Sequence, residues 1–492
     1  MDGRDEGRQA VKKVGRRHQS RREKQKIRTG PSFALRGVEN AVKDLLYEDA
    51  RRCECIFVFA PATVNMRHAA TAILIFLETT GAFTEAASST SVDILFVLHD
   101  AGETYFIHDA MTQVASAGWR VGVLALGEPA HRICSAIPSI ATRIPSDLGV
   151  RQKIADGRAR NATLTAEGVS RVLANYQHPI VVVVGMAYVM QAQLAAAFRD
   201  ASSQVYTIGI EDGIGGGWNP RTTVQRAFLG PPWSHVRVQE VLVADSMSAN
   251  VVAEQSQGMV RVTLTGSGAI ESWRSVAKDK DLVLTSRHEM LEAHGARWPT
   301  HTILIVFAGG YGGTEYVQGL KVFCDAVTLL RSCNFGFVFS PHPGYPSSFE
   351  QSLFNAWGCG RGGRSNLKVV DPEAWTANGT AVLVAGANAS ASIDSTVAAQ
   401  SLAIGKPHVY LSPKVRNVFI EDGLIPVAPN ASALVATLNV SFRHERFTVP
   451  NDAMWRAGVP ANGTANQEFR LLQLLRRTQR THTREYGWNM SR

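Results

Sequence analysis

"TILIVFAGGYGGTEYVQG", residues 302–319, runs from six mostly apolar residues into a glycine-rich turn and then into a helix-forming segment. A continuous apolar run, rather than an alternating one, marks a strand buried on both faces of a parallel sheet. Gly309, Gly310, Gly312, Gly313 and Gly319 open the strand-to-helix turn. Glycine lets backbone N–H groups come close to a phosphate, and a helix N-terminus adds about half a positive charge. The spacing is neither G-x-G-x-x-G nor a P-loop, because no G-K-S/T follows. A tight turn without a ligand is the alternative.

The same pattern extends in both directions. Short runs rich in Val, Ile and Phe recur at 56–60, 93–98, 121–125, 180–184, 205–210 and 240–244. They recur again at 335–340, 367–370, 381–385 and 408–411. Helix-period stretches such as 107–117 and 188–200 fall between them. This predicts an α/β chain of two doubly wound, Rossmann-like domains facing a cleft. The expected boundaries are a basic arm at 1–45, a first domain at 46–268, a linker at 269–300, a second domain at 301–465 and a terminal helix and tail at 466–492. In that helix Phe469, Leu471, Leu472, Leu474 and Leu475 form an apolar stripe expected to pack on the body.

Charge is distributed unevenly. Residues 1–30 hold eleven Lys and Arg against four acids, so +7 of the chain's +9 sits in the arm and the other 462 residues are nearly neutral. The arm is expected to be solvated, with an anionic membrane surface or another polyanion as its candidate partner, or an address as its alternative role. No module or aromatic–basic interleaving follows it, which argues against specific nucleic-acid binding. The six cysteines form no C-x-x-C pair, so neither a disulfide framework nor a zinc site is expected. The longest apolar stretch, near 69–77, is shorter than the ~18 residues a bilayer requires. The expectation is a cytoplasmic protein, peripheral at a membrane if the arm binds one.

Ligands of parallel sheets bind at the carboxyl ends of the strands, so chemistry is sought there. After 335–340 comes Pro341-His342-Pro343, in which both prolines fix their own φ and Pro343 biases His342 away from helix. An imidazole held in this way can donate to a phosphate or protonate a leaving oxygen, or simply satisfy a turn. After 381–385, Ser390, Ser392, Ser395 and Thr396 surround a helix start, either capping it or binding an anion. That helix should stop at Gly405, with Pro407 beyond. After 205–210, Glu211-Asp212-Gly213 offers a carboxylate as general base, or an ordinary acidic turn.

Together these strand ends resemble those of GT-B glycosyltransferases, over about residues 50–465. The stretches 241–268 and 392–413, the latter with its Gly405-Lys406-Pro407, carry the likeness. The Gly-Lys-Pro pattern is shared with nucleotide-sugar 2-epimerases. Bacterial sialyltransferases and polysialyltransferases of this fold carry an acidic pair with glycine, a His-Pro and a hydroxyl pair in the same order. Here these are Glu211-Asp212-Gly213, His342-Pro343 and Ser395-Thr396. The resemblance implies Asp212 as base on an acceptor hydroxyl, His342 on the phosphate leaving group, and Ser395 and Thr396 as phosphate contacts. Gly309, Gly310, Gly312 and Gly313 would line the same phosphate, with Glu211, Gly213, Pro343 and Ser392 in support. The implied partners are a nucleotide-sugar donor, with CMP-sialic acid among the candidates, and a glycan or other hydroxyl acceptor. No metal or other cofactor is expected. Teichoic-acid glycerophosphotransferases also use a His-Pro in this fold. The alternatives are a 2-epimerase, a glycerophosphotransferase, or a non-catalytic scaffold that has kept the fold.

Overall fold

The computed structural model describes residues 91–487, apart from 138–139, 144–162, 177–178, 187, 212–237, 293–297, 311–312, 332, 343–347, 360–365, 371–378, 394, 413–416 and 444–448. The basic arm and the expected strand at 56–60 therefore lie outside the described residues.

Two sheets, parallel throughout, organise the chain. The first holds β1 (Ile94–Leu98), β2 (Val121–Ala125), β3 (Ala141–Arg143), β4 (Val181–Gly185), β5 (Tyr206–Ile210), β6 (Glu240–Val243) and β7 (Arg261–Leu264), in the order β3-β2-β1-β4-β5-β6-β7. The second holds β8 (Ile303–Ala308), β9 (Phe335–Ser340), β10 (Leu367–Val369), β11 (Ala389–Ser392) and β12 (His408–Tyr410), in the order β10-β9-β8-β11-β12. In each sheet the order reverses beside its first strand, between β1 and β4 and between β8 and β11. These reversals open the crevices in which such sheets bind ligands.

The apolar runs are continuous because both sheet faces are covered. Along β1, Ile94, Phe96 and Leu98 enter one core cluster while Leu95 and Val97 enter another. The second sheet repeats this with Ile305 and Phe307 on one face and Leu304 and Val306 on the other. Phe307, Phe323, Phe337, Phe339 and Phe354 pack as an aromatic block under β8 and β9. One core cluster bridges the two halves, since Phe96 and Val183 share it with Ala398, Leu402 and Tyr410.

The structure corrects two expectations. The run 381–385 is not a strand but the centre of the helix Gly379–Gly386, and the strand beside β8 is Ala389–Ser392. Eight residues apolar on every side carry no period that separates a buried helix from a buried strand. The stretch 269–300, expected as a linker, holds the helices Gly268–Lys278 and Lys280–Glu292. The first of these packs against helices of both halves. Cys324 and Cys359 form a disulfide, where no disulfide framework was expected. Their separation of 35 residues matches no short motif.

The terminal helix Gly463–Gly487 returns to the first sheet and packs on the helix Ala101–Ser116. Leu471, Leu474 and Leu475 are buried there, whereas Phe469 is exposed. Arg470 reaches Glu240 of β6, which is fully buried, with Nε 2.7 Å from Oε1 and a second guanidinium nitrogen 2.5 Å from Oε2. Among the described residues no helix is long and apolar enough to cross a membrane.

Candidate functional site

At the crevice of the second sheet, β8 ends in Gly309-Gly310 and β9 ends in Pro341-His342. The Gly309 N–H donates to the Ser340 carbonyl at 2.8 Å. A Cβ on Gly309 would lie 2.7 Å from the His342 nitrogen and 3.1 Å from two further backbone atoms. The two strand ends are thus in backbone contact, and only glycine fits between them. Gly313, at φ +142°, caps the helix Thr314–Leu329 without a side chain, so no cap hydroxyl or carboxylate competes for the first-turn N–H groups. Gly312 and Pro343 lie outside the described residues.

His342 sits part-buried at this edge. Burial pushes its imidazole down to about 4, and the Asp100 carboxylate of the first half pulls the other way without offsetting it. At neutral pH the ring is uncharged and offers one N–H and one lone pair. The neighbouring Ser340 and Thr380 hydroxyls lie 3.2 Å apart.

Next to β8, β11 carries Ser390 and Ser392 with both side chains fully buried, rather than at the helix start. The turn that follows does bring Ser395 and Thr396 to the head of the helix Val397–Ala403, as the sequence suggested. Ser395 Oγ accepts from the Val397 N–H at 3.3 Å, and the Thr396 hydroxyl makes no cap bond. The helix ends as expected, with Gly405 at φ +74°.

The crevice of the first sheet contains residues that sequence reasoning missed. β1 runs into His99-Asp100, which head the helix Ala101–Ser116. Asp100 accepts from the Gly102 and Glu103 N–H groups, and Glu103 reaches back to close a capping box. Glu103 is fully buried and takes a bond from Gln191 Nε2 at 2.6 Å, and the same nitrogen is 3.1 Å from the Val97 carbonyl. A Cβ on Gly185, at the end of β4, would fall 1.8 Å from Glu103 Oε2, so that glycine makes room for the carboxylate. The His99 ring stacks on Tyr188 at 3.6 Å between centroids. The detectable signal was the D-x-x-E box directly after an apolar run.

Glu211 follows β5, and its carboxylate accepts from the Ala244 N–H at 2.8 Å and the Ser248 hydroxyl at 2.6 Å. It therefore ties the end of β5 to the loop after β6. Asp212 and Gly213 lie outside the described residues.

Neither a protein-family description nor a curated protein sequence matches the chain. Solved structures do match. The UDP-GlcNAc 2-epimerase of Neisseria meningitidis bound to UDP-GlcNAc is similar with a TM-score of 0.57 at 13% identity, over 78% of this chain and 100% of that one. The S. aureus MnaA–UDP complex gives 0.53 at 12%, over 76% and 93%. A glycosyltransferase of Rickettsia africae gives 0.50 at 10%, over 80% and 99%. Identities this low establish architecture alone. With its two parallel, doubly wound sheets and their reversals, the chain has the GT-B fold.

Proposed function

We propose that the chain is an enzyme acting on a nucleotide sugar, and that it transfers the sugar to a hydroxyl acceptor. The observation that carries this reading is the contact between Gly309 and His342 at the crevice of the second sheet. Around that contact a neutral imidazole, a glycine turn and a helix N-terminus without a side-chain cap would meet a departing phosphate. Ser395 and Thr396 would add hydroxyl contacts from the neighbouring strand end. The growing negative charge on the leaving phosphate would be met by N–H and O–H dipoles fixed in advance. The acceptor proton would go to Asp212, following the motif resemblance. The basic arm, which suits an anionic membrane surface, would bring the enzyme to a membrane-associated acceptor.

A second reading, a nucleotide-sugar 2-epimerase, is favoured by the solved structures, two of which are described as UDP-GlcNAc- or UDP-bound. The two readings share the departure of the nucleotide and differ in whether an acceptor is consumed. The test begins with thermal shift against UDP, CDP, GDP and CMP, for the native protein and His342→Ala. Stabilisation by one nucleotide, weakened in the variant, supports the reading and identifies the base. NMR of the matching nucleotide sugar then separates the two. Inversion at C2 without acceptor means epimerase, and product only with a hydroxyl acceptor means transferase. CMP as the stabilising nucleotide would bring the sialyl branch forward. Folded protein that none of the four stabilises refutes both.

A further inference from the structure

His408 of β12 is fully buried between two serines of β11, with Nδ1 2.7 Å from Ser390 Oγ and Nε2 2.9 Å from Ser392 Oγ. The protons of this cluster can be assigned by counting. Ser401 Oγ donates to the Val397 carbonyl at 2.7 Å, and it also lies 2.7 Å from Ser390 Oγ. A hydroxyl has one proton, so the Ser390–Ser401 bond uses the proton of Ser390. The Pro407 carbonyl, 3.5 Å from Ser390 Oγ, is too distant to compete. Ser390 must then accept from Nδ1, which carries the ring proton. Burial keeps the ring neutral. Nε2 is left as an acceptor and takes the Ser392 proton. With its proton directed inward, Ser392 offers a lone pair to the Ser395 N–H at 3.3 Å.

The Ser395 turn has a second tether on the same strand. Tyr410, two residues along and on the same face, donates to the Ser395 carbonyl at 3.3 Å and accepts from Asn417 Nδ2 at 3.1 Å.

We propose that His408 is a positioning residue for the Ser395–Thr396 turn, acting through the orientation it imposes on the Ser392 hydroxyl. The functional part of this rests on reading the turn as a phosphate contact. Its consequence is that Ser392 is not itself a phosphate donor, because its one proton is committed to His408. Of Ser392, Ser395 and Thr396, the last two would then present hydroxyls to the ligand.

Full-length protein tests this by two readouts, amide exchange at Ser395 and affinity for UDP. His408→Asn keeps a group near the Nδ1 position and leaves Ser392 without its acceptor. His408→Gln places an amide oxygen where Nε2 was. The expected result is that Ser395 exchanges about tenfold faster in His408→Asn and in Ser392→Ala, with UDP affinity about tenfold weaker, and that His408→Gln restores both. Ser392→Ala is the check should His408→Asn fail to fold. Unchanged Ser395 exchange in both variants overturns the proposal whether or not UDP binds. So does a ring proton found on Nε2 by nitrogen NMR. Equal loss of melting temperature in Asn and Gln variants with UDP affinity intact would mean a purely structural histidine, and overturns it too. Faster exchange in a protein that binds none of UDP, CDP, GDP and CMP keeps the tether and refutes the phosphate reading separately.

Discussion

Gly309→Ala tests the contact on which the functional reading stands. The added Cβ would lie 2.7 Å from the His342 nitrogen, 3.1 Å from the Pro341 carbonyl carbon and 3.1 Å from the Ser340 oxygen. All three are backbone atoms, so no side chain can turn aside. Restoring ordinary van der Waals separation requires the strand ends to part by about 0.7 Å. Overpacking of this kind costs about 1–3 kcal/mol of stability. The larger effect should be on turnover, because a misplacement of about 1 Å costs roughly a hundredfold in rate. We therefore expect kcat to fall by about 10- to 100-fold, with KM changed far less. The assay is turnover of the nucleotide sugar identified by the thermal-shift screen, run on Gly309→Ala, His342→Ala and the double variant. If Gly309 acts by placing His342, the double variant is no slower than His342→Ala alone. Two results would refute the reasoning: kcat within about twofold of the native value, or losses that multiply in the double variant.

Two further perturbations concern stability. Arg470→Met should destabilise the fold by about 3–5 kcal/mol, read from urea denaturation, because it leaves the buried Glu240 carboxylate with only the Tyr206 and Thr263 hydroxyls and the more distant Arg261. Burial raises the Glu240 pKa, but the bonds from Arg470, Thr263 and Tyr206 outweigh it and hold the group below the usual carboxylate value. In native protein this contribution is lost as pH falls through the folded pKa; in the variant the sign reverses, so its deficit should shrink towards acid. A deficit under about 1 kcal/mol would show that Arg261 suffices. His408 provides a second pH dependence, since burial pushes it from 6.5 to about 3. The folded state then binds fewer protons than the unfolded chain, so its contribution is complete above pH 6.5 and declines as pH falls towards 3, by up to about 1.4 kcal/mol per pH unit. His408→Gln should flatten that slope in urea melts between pH 4 and pH 7, and an unchanged slope would contradict the buried neutral ring.

The parts legible in the sequence were those whose physics is local. A strand covered on both faces must be apolar at every position, and β1, β4, β8 and β9 announce themselves in that way. The Gly309 turn and the Pro341-His342 strand end followed from the same logic, because only special residues can occupy such junctions. β11 was hidden because it reads Ala-Ser-Ala-Ser, and its serines are tolerated in the interior because His408, sixteen to eighteen residues on, and Ser401 take up their hydrogen bonds. No local pattern reports a satisfaction that distant. The helix Gly379–Gly386 was misread for the opposite reason, being apolar all round. The pairing of Cys324 with Cys359 depends on how the helix Thr314–Leu329 packs against the chain after Trp357, which spacing does not encode. His99 and Asp100 were within reach, since the search of strand ends that found His342 would have found them after β1.

The two crevices are built on opposite plans, and the difference bears on mechanism. That of the first sheet is closed by side chains, with Glu103, Gln191, Asp100 and His99 bonded or stacked into place. The crevice of the second sheet is defined by backbone, with Gly309, Gly310 and Gly313 placing main chain rather than side chains at its edge. A rigid polar wall suits selection among uncharged groups, because each misfit leaves a buried partner unsatisfied. A backbone rim suits a phosphate, whose charge is diffuse and whose oxygens accept from many directions. His342 stands at that rim, and burial lowers its imidazole from the usual 6.5 to about 4, which keeps the ring neutral at neutral pH. A phosphate leaving group would favour the protonated ring just as negative charge develops. The ring would then take its proton from solvent as the phosphate charge develops rather than hold it beforehand, so that a histidine with a pKa near 4 in the empty site could still serve a reaction at neutral pH.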